Sequence, residues 1–465
     1  MNNNSALTAN GNSIFVAGAK DSTSIEVAEG SQFTSNGSVT ALGGQYGFKV
    51  ATNGAKITIN AGENGINLIK ANEYRKDFVY DNEGFSNAVN VSGDNTEFSI
   101  AGEGNILQAG KISEGGYGNE TAISAVGKNS NVNIEAGDFG NYIGGAVYAN
   151  DDYVKVDIRS NGGDNVILSS THGKNNENVH LVSAVFANAG ADVMLKAENG
   201  GTNYIQTSFE GMSDTTDHKD SERTLWAYDG GNISLDGRTV IIASNSGKYT
   251  DGKKGNALGI AVAAGGRDLP TENGKPFIGT IDNWSNVNID YDSSNTKQSY
   301  IEGDVVAGYR GEINIGQNLI EFYNKKDIIS TGGNNSLYLK GNLLSANTGE
   351  LNVDFGKGGT WIGRADDYGD AGTIENYEEH QNFYNPAFSN DIIAGGEVNV
   401  KMGEGSTWIL TGQSWITSLT ADKSIIDMAG VNAGNNEAFD EEHTHALTIG
   451  TFDGDGSTFI MDLDA

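Results

Sequence analysis

The chain contains no cysteine and only 3 prolines in 465 residues. Without thiols, thiolate catalysis, disulfides and cysteine-ligated zinc are all excluded. So little proline suits a backbone in which nearly every N–H is needed as a donor, as parallel ladders require. Basic residues are also scarce: 29 Lys and Arg face 61 Asp and Glu, for a formal net charge of −32. That balance argues against nucleic acid as a partner, because phosphate recognition needs clustered Lys and Arg. It also argues against docking on anionic lipid. A solvated, soluble surface is the plain account of the charge; calcium is the sharper one and requires a specific cluster. No apolar run is long enough to span a bilayer as a helix. The start, "MNNNSALTANGNSIFVAGAK", lacks the basic and apolar regions of a signal peptide. Two readings stay open there: a cytoplasmic protein, or a mature fragment with an added start Met.

What the chain does have is glycine, 65 residues of it, and a recurring unit. "GFKVATNGAKITINAGENGINLI" (47–69) returns as "AISAVGKNSNVNIEAGDFGNYIGG" (122–145), "AVYANDDYVKVDIRSNGGDNVILSS" (146–170) and "AVFANAGADVMLKAENGGTNYIQTS" (184–208). Looser copies follow, among them "VVAGYRGEINIGQNLIEF" and "LLSANTGELNVDFGKGGTWIG". Each carries an apolar-x-apolar triplet: Ile57 and Ile59, Val132 and Ile134, Val156 and Ile158, Val193 and Leu195, Leu351 and Val353, Val398 and Val400. The middle residue is polar in most copies, with Met194 an exception, so the period is two and the strands are buried on one side. A second apolar pair follows: Tyr142-Ile143, Val166-Ile167, Tyr204-Ile205, Trp361-Ile362, Trp408-Ile409. One unit of about 25 residues cannot bury its own apolar face, whereas stacked units can. The expected fold is an all-β parallel β-helix (β-solenoid) with protruding loops, Asn and Gly stacking at its corners. Roughly 15 to 18 coils would make a rod about 80 Å long. A two-sheet sandwich is the alternative. Surplus length falls at 70–87, 209–224, 265–281 and 365–391, and insertions on a rigid scaffold commonly carry function.

The last stretch is more specific. "STWILTGQSWITSLT" (406–420), then "SIIDM" and "HALTIGTFDGDGSTFIMDLDA", read W-x-L-T-G-x-S-x-I-x-x-L, I-x-x-M, L-x-I-G-x-F-x-G-x-G-x-F-x-M. This pattern, over 398–465, resembles the C-terminal rungs of pertactin-like passenger domains of bacterial autotransporters (type V secretion). Upstream, only the repeat texture is similar. Phe452 stands where the family commonly has Leu. The resemblance implies a right-handed β-helix stem over 1–397 and, over 398–465, the start of a folding region. It implies export through a β-barrel that lies outside this sequence, and a place on the surface of a diderm bacterium or in the medium. It makes Trp408, Leu410, Ile416, Leu419, Leu447, Ile449, Phe459 and Met461 the core of that region. Trp415, opposite in sense to Ile416, is the exposed aromatic candidate.

Chemistry is sparse. No Gly-Asp-Ser-Gly or G-x-S-x-G nucleophile motif occurs. Polysaccharide-acting β-helix enzymes use paired carboxylates or Asp-bound calcium with an Arg; Asp366, Asp367 and Arg364 are the candidates. His443 and His445 in "EEHTHAL" share one face of an extended segment, a weak zinc or nickel pair against the simpler reading of an exposed insertion. "DGDGS" (453–457) lacks the remaining ligands of a calcium loop. The insertion "RADDYGDAGTIENYEEHQNFYNPAFSN" (364–390) combines aromatics and acids. Asp366, Asp367, Tyr368, Tyr377, Glu378, Glu379, Phe383, Tyr384 and Phe388 form the candidate ligand-binding set, for protein or sugar. They could equally pack down on the solenoid side. The expected function is a cell-surface adhesin meeting a host or microbial protein or glycan, with no cofactor. Self-association along polar ladders and a polysaccharide-acting enzyme are the alternatives.

Overall fold

The computed structural model describes residues 4–19, 22–71, 86–110, 118–172, 183–210, 223–243, 259–266, 271–272, 275–276, 283–290, 297–316, 336–369, 392–430 and 446–461. Among these the chain is all β, with no helix. Strands pair in parallel with their counterparts one coil further on, the arrangement of a parallel β-helix. Two compact units are formed: Met1–His218 with Thr224–Trp226 and Gly231–Gly237, and Lys219–Arg223 with Ala227–Gly230 and Arg238–Ala465.

In the first unit a coil has three strands, such as Lys56–Asn60, Ile66–Ala71 and Val89–Val91. Each continues its own ladder. In the first ladder Phe33, Ile57, Phe98, Val132, Val156 and Val193 stack in register and are buried. Their neighbours Ile59, Ile100, Ile134, Ile158 and Leu195 form a second inward column, as the triplets predict. Each side chain contributes about 1.5–3 kcal/mol by leaving water. Phe33, Phe48 and Phe98 also meet edge to face, with centroids 5.7 and 5.5 Å apart.

The stacked asparagines are not confined to the corners. Asn67, Asn105, Asn141, Asn165 and Asn203 form a buried inward column at the start of the second ladder. Each Nδ2 donates to the Oδ1 of the next: Asn67 to Asn105 at 3.0 Å, Asn105 to Asn141 at 2.9 Å, Asn141 to Asn165 at 2.8 Å, Asn165 to Asn203 at 2.9 Å. The second N–H of each donates to a main-chain carbonyl, of Ala101, Glu135, Arg159 and Lys196 respectively, and Asn203 reaches that of Asp236. Both donors of the first four amides are thereby satisfied, the condition for burying so polar a group.

The second unit repeats the three-strand coil with a different interior. Phe355, just past the strand Glu350–Asp354, stacks with Trp361 and Trp408, which lie on the inner faces of two strands, with centroids 5.5 and 4.0 Å apart and planes 14° and 11° from parallel. Trp361 Nε1 donates to the carbonyl of Gly341 at 2.9 Å, and Trp408 Nε1 to that of Gly363 at 3.0 Å. Indole burial thus leaves no orphaned donor. Register corrects the sequence alignment here by one residue. Trp361 and Trp408 continue the inward column of Ile301 and Leu339, while Tyr300, Tyr338, Thr360 and Thr407 form the outward one. A one-residue slip exchanges the faces of a strand, so the aromatic of the pair lies inside in "TWI" and outside in "SYI".

The terminal core set divides. Trp408, Leu410, Ile416 and Leu419 are buried. Leu447, Ile449 and Phe459 are half-buried and Met461 is 58% exposed, so Met461 is not a core residue. Leu447–Asp455 and Thr458–Ile460 each have a parallel partner on one side only among the described residues, which leaves their inward side chains covered on one flank.

Candidate functional site

Of the candidate ligand-binding set, Tyr377, Glu378, Glu379, Phe383, Tyr384 and Phe388 lie outside the described residues, as do His443 and His445. Asp366 and Tyr368 are buried. Asp366 Oδ1 accepts from the Tyr368 amide at 2.8 Å. Asp367 Oδ1 accepts from the Gly369 amide at 3.1 Å, and its Oδ2 from the Thr417 hydroxyl at 2.9 Å. Thr417 Oγ1 in turn accepts from the Val398 amide at 3.0 Å. Burial lowers the pKa of Arg364, opposed by Tyr368, Asp366 and Asp304. The start of the insertion is therefore packed into the wall and pinned by hydrogen bonds. Asp366 and Tyr368 are turned away from solvent, a correction to their place in an exposed loop. Trp415 is half-buried on the outward side, opposite Thr448. Among the described residues no three or more His, Asp or Glu side chains converge to hold a metal.

The outward faces are where the ladders differ. The first ladder of the first unit is polar outside: Thr34, Thr58 and Ser99 stack in register, beside Asn36 and Asn60. Asn36 Nδ2 donates to Asn10 Oδ1 at 2.9 Å in the open. In the second unit the matching face carries Gly-Glu-apolar-Asn-apolar three times, at 311–315, 349–353 and 396–400. It stacks Glu312, Glu350 and Glu397 beside Asn314, Asn352 and Asn399. The amides chain together at 3.0 and 3.1 Å, and Asn314 and Asn352 also donate to Glu312 and Glu350. Burial, with the neighbouring charge of Glu350 adding to it, raises the pKa of Glu312, against the Asn314 bond.

The second ladder of the first unit is apolar outside. Leu68, Ile106, Tyr142, Val166 and Tyr204 follow one another in register on five successive coils. On its first three coils Ile66 is 45%, Ile106 37%, Phe139 71% and Tyr142 41% exposed. Two local features throw Phe139 outward. The Asn131–Gly144 strand carries residues 137–139 against the single Glu103 of its neighbour, an enlarged β-bulge. Then Gly140 takes φ +74, where a Cβ would lie 2.2 Å from the Asp164 carbonyl oxygen. Across Gly104, which has no side chain, Phe139 and Ile66 both come within 4 Å of where a Cβ would stand. The four side chains are one patch.

The outward aromatic row of the third ladder is closed. Tyr148 stacks on Phe186 at 5.3 Å and Phe186 meets Trp226 edge to face at 5.2 Å, and Phe186 is buried. The exposed patch is the feature that sequence reading missed. Its signal was present in the recurring Asn-Tyr-Ile and Asn-Val-Ile, in which only one member of the apolar pair can face inward. Comparison with protein-family models, with curated proteins and with solved structures gives no match.

Proposed function

We propose that the chain is a surface-display scaffold of the adhesin type, which binds macromolecules through the outward faces and corner loops of its β-helix. The observation that carries this reading is the apolar patch of Ile66, Ile106, Phe139 and Tyr142, held in place by a register-locked interior. Contiguous exposed apolar surface on a rigid framework marks an interaction site more often than a chance of composition. The carboxylates that an enzyme reading would use, Asp366 and Asp367, are engaged in hydrogen bonds that shape the wall. An autotransporter passenger on a bacterial surface is the setting that fits the W-x-L-T-G-x-S-x-I-x-x-L stretch. A second reading, self-association, draws on the open Thr and Asn columns of the first ladder.

The test is adhesion of beads coated with the purified chain to host cells, bacterial cells and a glycan panel. A variant with 370–389 replaced by a short Gly-Asn turn, which spares the buried Asp366 and Tyr368, is run in parallel. Adhesion that withstands washing is expected. Clumping of beads with one another alone would favour self-association, and turnover of polysaccharide without adhesion would overturn the proposal.

A further inference from the structure

We infer that the apolar patch of the first unit takes a cationic amphipathic segment of a protein or peptide; this rests on the binding reading above and names the partner's chemistry. The corner that joins the first and second ladders borders the patch. On four successive coils it carries a carboxylate: Glu63, Glu103, Asp138 and Asp164. The last three are joined through their corner. The Asp138 amide donates to Glu103 Oε1 at 3.0 Å, and Asp138 Oδ1 lies 2.3 Å from where a Cβ on Gly162 would stand, two residues before Asp164. Asp164 Oδ1 accepts from the Thr202 amide of the next coil at 2.8 Å. None of the four forms an ion pair with Lys or Arg among the described residues, unlike Glu97 with Lys56 or Glu198 with Lys196 nearby.

An apolar stripe with an uncompensated acidic border is complementary to apolar side chains flanked by Lys or Arg. A second copy is the poorer occupant, since it would set one acidic border against another on chains of net charge −32. An anionic or purely polar ligand gains nothing from either half of the site. Size agrees as well. Five coils span about 19 Å between the first and last member of the stripe, the length of about 13 residues of α-helix. A helix of that length presents an apolar face at i, i+3, i+4 and i+7.

The probe is a fluorescein-labelled 15-residue Leu/Lys peptide with its leucines on one helical face, titrated by anisotropy against the full chain at low and high salt. The controls are a scrambled Leu/Lys peptide and a Leu/Glu peptide of the same pattern. Saturable binding of the amphipathic Leu/Lys peptide alone is expected, weakened about tenfold or more by F139S/Y142S. D138K should weaken it and flatten its salt dependence, while the same charge change in the other unit, E404K, should not. Far-ultraviolet circular dichroism checks that each variant is folded. Equal binding of the scrambled peptide, or equal loss in E404K and D138K, would reduce the interaction to the charge of the chain and overturn the inference. Binding of the Leu/Glu peptide, or dimerisation abolished by F139S/Y142S with no peptide bound, would overturn it too. Beads that adhere to cells with F139S/Y142S as well as with the unaltered chain would remove this site and leave the adhesive reading standing. Peptide binding by a chain whose beads adhere to nothing would do the reverse.

Discussion

Replacing Asn141 by Ala tests whether the buried amide column is a structural necessity. Asn141 makes three hydrogen bonds: Nδ2 to Arg159 O at 2.7 Å, Nδ2 to Asn165 Oδ1 at 2.8 Å, and Oδ1 from Asn105 Nδ2 at 2.9 Å. Each is worth about 1 kcal/mol net, and a buried partner left unpaired adds about 1–3 kcal/mol. Asn105 keeps its bonds to Glu135 O and from Asn67 Nδ2, so the loss falls on its second N–H, on Asn165 Oδ1 and on the Arg159 carbonyl. The sum is about 4–6 kcal/mol, a large part of the roughly 5–15 kcal/mol that holds an ordinary domain folded. Asn36→Ala is the comparison, since its ladder bond to Asn10 is exposed and its loss should cost about 0.5 kcal/mol. Urea unfolding followed by far-ultraviolet circular dichroism measures both, provided the slope with denaturant stays constant. Asn141 and Asn165 share one bond, so the double variant should cost about 1–2 kcal/mol less than the sum of the singles. If Asn141→Ala falls within about 1 kcal/mol of Asn36→Ala, or the double variant is strictly additive, the satisfaction argument fails.

Three further outcomes are expected. Trp408→Ala removes an indole stacked at 4.0 Å on Trp361, so it should destabilise by about 3–5 kcal/mol and diminish the near-ultraviolet circular dichroism of the stacked pair; an unchanged melting curve would contradict this packing. Burial raises the pKa of Glu312, so the folded state holds a proton in a window above the ordinary carboxylate range that the unfolded chain has released. Stability is then lost as pH rises through that window, and Glu312→Gln should be more stable than the parent at pH 7 with the difference fading below pH 4; a parent that is the more stable at pH 7 would refute it. Asp367→Ala loses the bonds to Gly369 and Thr417 and should lower stability by about 1–3 kcal/mol without weakening bead adhesion; weakened adhesion by a chain of unchanged stability would restore Asp367 to the ligand-binding set.

The triplets were legible because period two is a direct imprint of a one-sided strand. Ile57 with Ile59 and Val132 with Ile134 face inward as expected. The Asn column was half legible. An Asn stands before the second apolar pair in the repeat, preceded by Gly at Asn105 and Asn141, but successive members lie 38, 36, 24 and 38 residues apart. Unequal corner insertions of this kind hide a period that exists only in space. The same insertions separate the members of the exposed patch. Phe139 faces solvent because of a bulge and a left-handed Gly140, and neither is marked by hydropathy. Asp366 and Tyr368 misled for a related reason: aromatics and acids in a Gly-rich run look alike whether they project or fold inward. The choice is made by distant partners, as Thr417 pins the intervening Asp367 from about 50 residues away.

The pitch of the ladder also limits what can lie along it. Stacked strands repeat at about 4.8 Å, whereas a helical ligand repeats at about 5.4 Å per turn. Laid lengthwise the two act as a vernier, falling out of step by about 0.6 Å per turn and by half a coil after about four. A stripe of five coils is thus near the longest over which a straight helix stays in phase, and lengthening the stripe would add surface without adding matched contacts.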